Sequence, residues 1–244
     1  MKCILTSYLE LSDKDEFGNH IPKNFGNKNK ILDNIKKYVT KYDNFLFVAS
    51  SEYEYEVTDM YAKVTFESFN LTLPFKNYNI LDGRTEDKID ELISNADLIF
   101  LCGGHVPTQN KFFNNINLRE KIKRTNALII GGSAGSMNMS DNVYCPPEID
   151  GEAIDKNFKK IYKGLGLTNI NIFPHLDDIK DDLVDGINVF KEIVLPDSYK
   201  YDIYAFNDGT YILIDDKNYL YGEAYLLKDG NINKINEDDK VITI

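Results

Sequence analysis

The stretch from Ala127 to Gly135 limits the possible fold more than any other part of the chain. Four apolar residues, Ala-Leu-Ile-Ile, are typical of a buried strand, and Gly131-Gly132-Ser133-Ala134-Gly135 follows with the pattern G-x-S-x-G. In such an elbow a strand turns sharply into a helix and presents a serine at its tip, so small residues are needed on both sides. The same residues could instead form a glycine-rich turn in which Ser133 only caps the next helix.

Continuous apolar strands alternate with helical spacing along the part of the chain that precedes the elbow. The predicted strands are Cys3–Tyr8, Phe45–Ala49, Tyr78–Leu81 and Asp97–Cys102, and the predicted helices are Lys28–Tyr42, Val57–Phe69, Lys88–Ala96 and Gln109–Arg124. Residues 11–27 are polar and predict a loop, with His20 exposed to solvent. Strands that are apolar throughout indicate a parallel sheet covered on both faces, which is a flavodoxin-like, three-layer α/β fold.

The pattern changes after the elbow. Residues 141–168 are irregular, and Asp177–Phe190 is acidic with some helical spacing. The predicted strands here are Asn169–Phe173, Tyr201–Phe206, Thr210–Ile214, Tyr219–Leu227 and Ile232–Ile235, several of them antiparallel. No linker or repeat divides the chain, so we expect residues 1–244 to form one α/β domain with extra antiparallel strands near its C-terminus.

Composition and charge exclude several classes of protein. The chain is 43% hydrophobic and 27% charged, which is ordinary for a globular protein, and its net charge is −11. An acidic chain without a basic patch argues against a nucleic-acid partner. No apolar run is long enough to span a membrane, and the N-terminus does not resemble a signal peptide. Three cysteines without metal-ligand spacing fit a reducing compartment, so we expect a cytoplasmic protein.

A catalytic serine needs a base, and only three histidines can supply it. His20 lies in the predicted early loop. His105 follows Gly103-Gly104 at the end of a strand, and His175 follows a strand beyond the elbow. Because sites of open α/β sheets form at the carboxyl ends of the strands, both His105 and His175 are candidates.

The base in turn needs a carboxylate to orient it, and Asp208 is the best placed. The segment Asn207-Asp208-Gly209 is also a common hairpin turn, so the residue has an ordinary structural explanation too. The competing residues are Asp202, Asp215 and Asp216 as carboxylates and Cys102 and Cys145 as nucleophiles. Neither cysteine is flanked by an elbow.

The landmarks together resemble the dipeptidase E and cyanophycinase family of serine peptidases. The resemblance rests on Leu98–Gly104, the Gly-Gly-Ser133-Ala-Gly elbow, Pro174-His175 and Asn207-Asp208-Gly209, and it extends from about residue 97 to residue 215. It implies a fold related to class I glutamine amidotransferases, with a serine in place of their cysteine. The order serine, histidine, carboxylate also differs from that of α/β-hydrolases, in which the acid precedes the histidine.

The resemblance implies a role for each of five residues. Ser133 would be the nucleophile, His175 the general base and Asp208 the residue that orients the imidazole. The backbone amides of Gly104 and Ala134 would form the oxyanion hole, in which one donor is typically worth about 3 kcal/mol. No metal ion or organic cofactor is implied.

The chain also departs from the family pattern. Members that cleave after aspartate are expected to carry an arginine soon after the histidine, but here Asp177-Asp178 and Asp181-Asp182 follow it. Such carboxylates would repel an acidic substrate side chain if they face the cleft. Lys111 and Arg119 are the alternative residues for binding a substrate carboxylate.

From the residues and the resemblance we expect a serine peptidase that hydrolyses short peptides through an acyl-enzyme. One alternative is an esterase or amidase that uses the same triad on another small acyl substrate. A second alternative is a non-catalytic binding protein on the same scaffold. Self-association into a homodimer is compatible with the sequence.

Overall fold

The computed structural model describes residues 1–244 and is built around an eight-stranded sheet. In sheet order its strands are β18 (Val241–Thr243), β15 (Asn218–Tyr221), β14 (Tyr211–Ile214), β1 (Cys3–Thr6), β7 (Leu128–Gly132), β6 (Leu98–Leu101), β4 (Asn44–Val48) and β5 (Asn77–Leu81). Five adjacent strands, β1, β7, β6, β4 and β5, are parallel to one another. The other three, β14, β15 and β18, are antiparallel to their neighbours. The mostly parallel sheet predicted from the apolar strands is confirmed.

Helices cover both faces of this sheet. They are α1 (Ile31–Tyr38), α2 (Tyr55–Thr72), α3 (Ile89–Asn95), α4 (Val106–Asn115), α5 (Leu118–Ile122), α6 (Ala134–Met137), α7 (Leu176–Ile179) and α8 (Leu195–Asp197), with 3₁₀ turns at Lys28–Lys30 and Glu86–Lys88 and a π-helical turn at Phe190–Val194. Two hydrophobic cores lie on the two faces of the sheet, and neighbouring residues of one strand point to opposite faces. Phe45 packs in the core beneath α1 and α2, and Leu46 packs in the core beneath α3, α4 and α5. This arrangement is the predicted three-layer sandwich.

A cluster of aromatic rings fixes α2 on the sheet. Phe45 is fully buried, and its ring lies 4.7 Å from Phe69, 5.3 Å from Phe75 and 5.6 Å from both Phe66 and Tyr78. Aromatic rings at these separations contribute stabilisation beyond the area that they bury. The helix that follows β4 is therefore held in one position against the face of the sheet.

A second, four-stranded sheet extends the fold and contains some of the antiparallel strands that were predicted near the C-terminus, although a separate sheet was not predicted. It contains β10 (Asn171–Phe173), β13 (Ile203–Phe206), β16 (Ala224–Lys228) and β17 (Asn231–Asn236). It buries a third hydrophobic core, to which Phe173, Phe190 and Leu227 belong. Because His175 follows β10 and Asp208 follows β13, which are paired and parallel, this sheet brings the two residues to one edge.

Several boundaries differ from the sequence prediction. Residues 219–227 are not one strand, because the chain turns at Gly222, with φ at +94°, and passes from β15 in the large sheet to β16 in the second sheet. The predicted helix 109–124 is two helices, since Asn117 between α4 and α5 is left-handed with φ at 52°. Asparagine tolerates this conformation better than most residues do.

Short hairpins occupy three segments in which no strand was predicted, including part of the acidic segment Asp177–Phe190, which showed some helical spacing. They pair β2 (Ser12–Lys14) with β3 (His20–Pro22), β8 (Asn142–Tyr144) with β9 (Ile161–Lys163), and β11 (Leu183–Val184) with β12 (Ile187–Asn188). Two or three residues per strand are too few to show a hydrophobic period, so the sequence did not reveal them. Among the helices, none has the length and apolar character required to cross a lipid bilayer.

Candidate active site

Ser133 lies at the sharp turn between β7 and α6, in an unusual backbone conformation. Its φ and ψ angles are 48° and −116°, and its N–H donates to the carbonyl oxygens of Ser7 and Thr6, at 2.8 and 3.0 Å. Residues other than glycine rarely adopt a positive φ, so the surrounding structure must hold this conformation in place. The G-x-S-x-G segment thus forms the predicted elbow, with Ser133 at its tip.

The glycine that follows the serine by two residues is required by close packing. A Cβ atom at Gly135 would collide with the carbonyl oxygen of Leu101 and would lie 2.7 Å from that of Cys102. The neighbouring Ser136 is fully buried, and its hydroxyl donates to Gly131 O at 2.6 Å and accepts from Thr6 N–H at 2.8 Å. These contacts fix α6 against the ends of β1, β6 and β7.

Two backbone N–H groups near the serine are unpaired. Ala134 directly follows Ser133, and Gly104, with φ at +146°, lines the same two clefts as Ser133. The N–H groups of Gly104 and Ala134 donate no hydrogen bond to another part of the protein. Unpaired amides beside a nucleophile can bind the oxyanion of a tetrahedral intermediate. Gly104 and Ala134 therefore remain candidates for the predicted oxyanion hole.

His175 is held by Asp208 and by a third residue, Ser7. The Nδ1 atom of His175 lies 2.8 Å from Asp208 Oδ1 and 3.1 Å from the hydroxyl of Ser7. The Ser7 hydroxyl donates to Asp208 Oδ1 at 2.5 Å and accepts from the backbone N–H of His175 at 2.9 Å. The imidazole is therefore fixed with Nδ1 toward the carboxylate, and Nε2 has no hydrogen-bond partner in the protein.

The carboxyl group of Asp208 is held in its charged form. Partial burial raises its pKa, but hydrogen bonds from His175 and Ser7 and the nearby Lys28 ammonium outweigh the burial, so the pKa lies below its usual value. A carboxylate that stays ionised can orient an imidazole and stabilise the imidazolium that forms during proton transfer.

Ser133 and His175 line the same clefts but are not hydrogen-bonded to each other. No hydrogen bond joins Ser133 Oγ to the imidazole, while both residues line the walls of two clefts that meet beside Gly104. In enzymes without substrate, the contact between nucleophile and base is often long and shortens when substrate binds.

His105 has a different environment from His175. Its Nδ1 lies 2.8 Å from the Thr108 hydroxyl and its Nε2 lies 3.0 Å from Glu152 Oε1, so both ring nitrogens are occupied. The other oxygen of Glu152 accepts the backbone N–H of Glu148 at 2.8 Å. His105 therefore ties the loop that carries Glu148 to the start of α4.

The first of the two clefts, which we call the acidic cleft, has a volume of about 230 Å³. Two carboxylates, Glu148 and Asp182, line it together with apolar residues, and no lysine or arginine does. Loss of water around the Glu148 carboxyl and the nearby Glu152 carboxylate raise the pKa of Glu148 to about 7, although the residue as a whole is exposed. The charge of this cleft suits a cationic group and repels an anionic one.

The four acidic residues after His175, which are Asp177, Asp178, Asp181 and Asp182, do not form one charged surface of the cleft. Asp177 pairs with Lys180 and accepts from the side chain of Asn207, while Asp181 pairs with Lys191. Of the four, Asp182 alone lines the acidic cleft.

The two basic residues proposed to bind a substrate carboxylate lie elsewhere. Arg119 donates to Asp141 and to the carbonyl oxygen of Gly164, and neither Arg119 nor Lys111 lines either cleft. The sequence hypothesis that one of them binds a substrate carboxylate finds no support in these contacts.

The competing residues are engaged in other contacts. Asp202 pairs with Lys228, Asp215 with Lys2, and Asp216 accepts from Tyr219. Cys102 and Cys145 are buried, and burial raises the pKa of Cys102 to about 12 and that of Cys145 well above its usual value. Neither thiol is poised to form the thiolate that a nucleophile requires.

One group of side chains has the composition of a metal site. Potential ligand atoms of His175, Asp178 and Asp208 lie within 4.8 Å of one another. Of these three residues, His175 and Asp208 lie close together because they are hydrogen-bonded to each other and to Ser7.

Sequence reasoning missed Ser7 and Glu148 and misjudged His20. Ser7 directly follows β1, which pairs with the elbow strand β7. Its position at the end of a predicted strand was the feature of the sequence that could have indicated its place in the site. Glu148 comes from an irregular loop and gave no signal. His20 is not simply solvated, because its Nδ1 lies 2.8 Å from the Ser12 hydroxyl and its ring lies against Tyr61.

Comparisons with known proteins identify the family of the chain and support its fold. Residues 18–221 match the model of peptidase family S51. The structure resembles a peptidase from an acI-B1 actinobacterium, with a TM-score of 0.69, 15% identity, and coverage of 100% of this chain and 96% of the other. It also resembles a candidate peptidase E protein from Listeria monocytogenes EGD-e, with a TM-score of 0.54, 15% identity, and coverage of 96% and 98%.

A search of curated proteins finds no match. The two structures share the fold, and the family model covers most of the chain, so the resemblance predicted from the elbow and its landmarks is confirmed. The chain belongs to peptidase family S51 and is a serine peptidase, whose substrate is a peptide.

Proposed function

We propose that this peptidase cleaves short peptides with Ser133 as nucleophile, His175 as general base and Asp208 as the orienting carboxylate. The observation that carries the proposal is the 2.8 Å contact between His175 Nδ1 and Asp208, made beside the cleft that Ser133 lines. This contact fixes the tautomer in which Nε2 is free to accept a proton.

The reaction follows from these positions. Ser133 Oγ attacks the scissile carbonyl while His175 Nε2 takes the hydroxyl proton. The N–H groups of Gly104 and Ala134 stabilise the oxyanion, and His175 then returns the proton to the departing amine. A water molecule, activated by the same imidazole, hydrolyses the acyl-enzyme and restores Ser133.

We further propose that the acyl residue of the substrate, the one on the N-terminal side of the scissile bond, binds in the acidic cleft. Glu148 and Asp182 would attract the free α-ammonium group of an N-terminal residue. The same carboxylates would disfavour an aspartate or glutamate side chain at that position. A short peptide with a neutral or basic first residue is thus the preferred substrate.

A cytoplasmic location, the absence of a nucleic-acid partner and assembly into a homodimer remain predictions. Three buried free thiols, which are typical of reducing compartments, support the cytoplasmic location. The net charge of −11 supports the absence of a nucleic-acid partner.

Kinetics of the two histidine variants test the assignment of the base. His175→Ala should reduce kcat on a dipeptide by several orders of magnitude, because the serine loses its proton acceptor. His105→Ala is the matched control and should keep most of the activity. An inactive His105→Ala beside an active His175→Ala would refute the assignment. Amide and ester substrates with the same acyl residue would reveal an esterase instead, if only the ester were hydrolysed.

A further inference from the structure

A second cleft opens on the other side of Ser133 and His175. It has a volume of about 400 Å³, compared with about 230 Å³ for the acidic cleft, and it shares Gly104, Ser133 and His175 with the latter. We call it the α2 cleft, because residues of α2 form one of its walls. A peptide bond placed at Ser133 therefore has one cleft on each side.

The wall formed by α2 is mostly apolar, with Glu54 at the start of the helix and Thr65 as its polar members, and it is not fully covered by protein. Val57, Tyr61 and Val64 are spaced by four and three residues, which places them on one face of the helix. Val57 is 46% exposed and Tyr61 is 40% exposed, so apolar surface faces the water in the cleft. Leu11 and Phe100 add apolar surface from other elements.

The hairpin of β2 and β3 packs against this helix and gives the α2 cleft a fixed shape. The hydroxyl of Tyr8 lies 2.9 Å from that of Ser12, which in turn lies 2.8 Å from His20 Nδ1. The ring of His20 packs against Tyr61 at a centroid distance of 5.7 Å. A preformed apolar cleft with a few polar groups is the usual form of a binding site for a small ligand.

The acidic cleft is lined by two carboxylates and the α2 cleft by one, that of Glu54, so we expect an ammonium group to bind preferentially in the acidic cleft. In a short peptide the free α-ammonium belongs to the acyl residue, and the acidic cleft offers it two carboxylates, Glu148 and Asp182. The residue that leaves with the new amine then extends into the α2 cleft. The apolar stripe of α2 can bury a large side chain there and remove it from water.

We propose that the α2 cleft binds the leaving-group residue of the substrate and selects a large aliphatic or aromatic side chain at that position. This inference rests on the proposed peptidase mechanism and adds its specificity on the C-terminal side of the scissile bond. Val57 and Tyr61 are the residues that determine this preference.

Two dipeptide series test the proposal. In the series Ala-Gly, Ala-Ala, Ala-Leu and Ala-Phe, kcat/KM should rise by roughly tenfold or more from Ala-Gly to Ala-Leu and Ala-Phe, as is common for apolar pockets. Val57→Ser and Tyr61→Ser should each reduce this ratio severalfold. In a second series, Gly-Ala, Leu-Ala and Lys-Ala, the same variants should leave the ratios unchanged, because the acyl residue occupies the other cleft.

Met60→Ser is the matched control, since Met60 is 47% exposed on the same helix and does not line the cleft. Its ratios in both series should equal those of the wild type. Unchanged ratios in the Val57 and Tyr61 variants would overturn the inference. Changes confined to the second series would also overturn it, because they would show that the α2 cleft binds the acyl residue instead of the leaving-group residue. Failure of the wild type to cleave any of these dipeptides would refute the proposed function, and the inference with it.

Discussion

Replacement of Ser7 by alanine should slow catalysis without affecting substrate binding. Ser7 donates a hydrogen bond to the Asp208 carboxylate and accepts one from the backbone of His175. A hydrogen bond to a charged group contributes about 1.5–3 kcal/mol, which corresponds to roughly 10- to 150-fold in rate. We therefore expect kcat to fall by that factor while KM stays nearly constant, because Ser7 acts through the base.

The assay is steady-state hydrolysis of a dipeptide together with the rate at which a fluorophosphonate labels the protein, and both rates should fall in parallel. The double variant with both Ser7→Ala and Asp208→Ala is the decisive comparison. Ser7→Ala should add little to the loss of activity that Asp208→Ala already causes. Full additivity of the two losses would mean that Ser7 acts independently of Asp208, and would exclude the proposed role of Ser7 in positioning the base. Thermal unfolding of each variant shows whether the fold is retained.

Three further predictions concern packing, pH and specificity. Gly135→Ala should lower the free energy of unfolding by about 1–3 kcal/mol, since its Cβ collides with Leu101 O; an unchanged Tm would contradict this. Because the pKa of Glu148 is raised to about 7, its carboxylate is lost as the pH falls through 7. KM of a peptide with a trimethylated, permanently charged N-terminal ammonium, relative to its acetylated form, should then rise roughly fivefold between pH 8 and pH 6 in the wild type and stay constant in Glu148→Gln. In a dipeptide panel that varies the first residue, aspartate should be among the poorest, and a preference for aspartate would exclude the proposed role of the acidic cleft.

The fold could be predicted because its signals are local and strong. Most of the parallel strands are largely apolar, and the elbow at Ser133 is fixed by Gly131 and Gly135, which no larger residue can replace without a clash. Boundaries failed where a single residue sets a turn, as at Asn117 and Gly222, because left-handed residues leave only a weak trace in a sequence.

The candidate site was predictable only where a residue carries a motif. Ser133 has its elbow, and His175 and Asp208 follow strands at the edge where such sites form. Ser7 and Glu148 are brought to the site by strand pairing and by a long loop, over separations in sequence that no local pattern encodes. The α2 cleft was invisible for the same reason, since it needs the hairpin of β2 and β3 to pack on α2.

The most direct test of the account is the mass of the covalent adduct formed at Ser133. The protein would be treated with a fluorophosphonate, digested, and the modified residue located by mass spectrometry, with Ser133→Ala as the control. The account predicts one adduct, on Ser133, and in Ser133→Ala no labelling together with a loss of about 10⁶-fold in kcat despite an unchanged Tm. Labelling at another residue, or undiminished hydrolysis by Ser133→Ala, would contradict it.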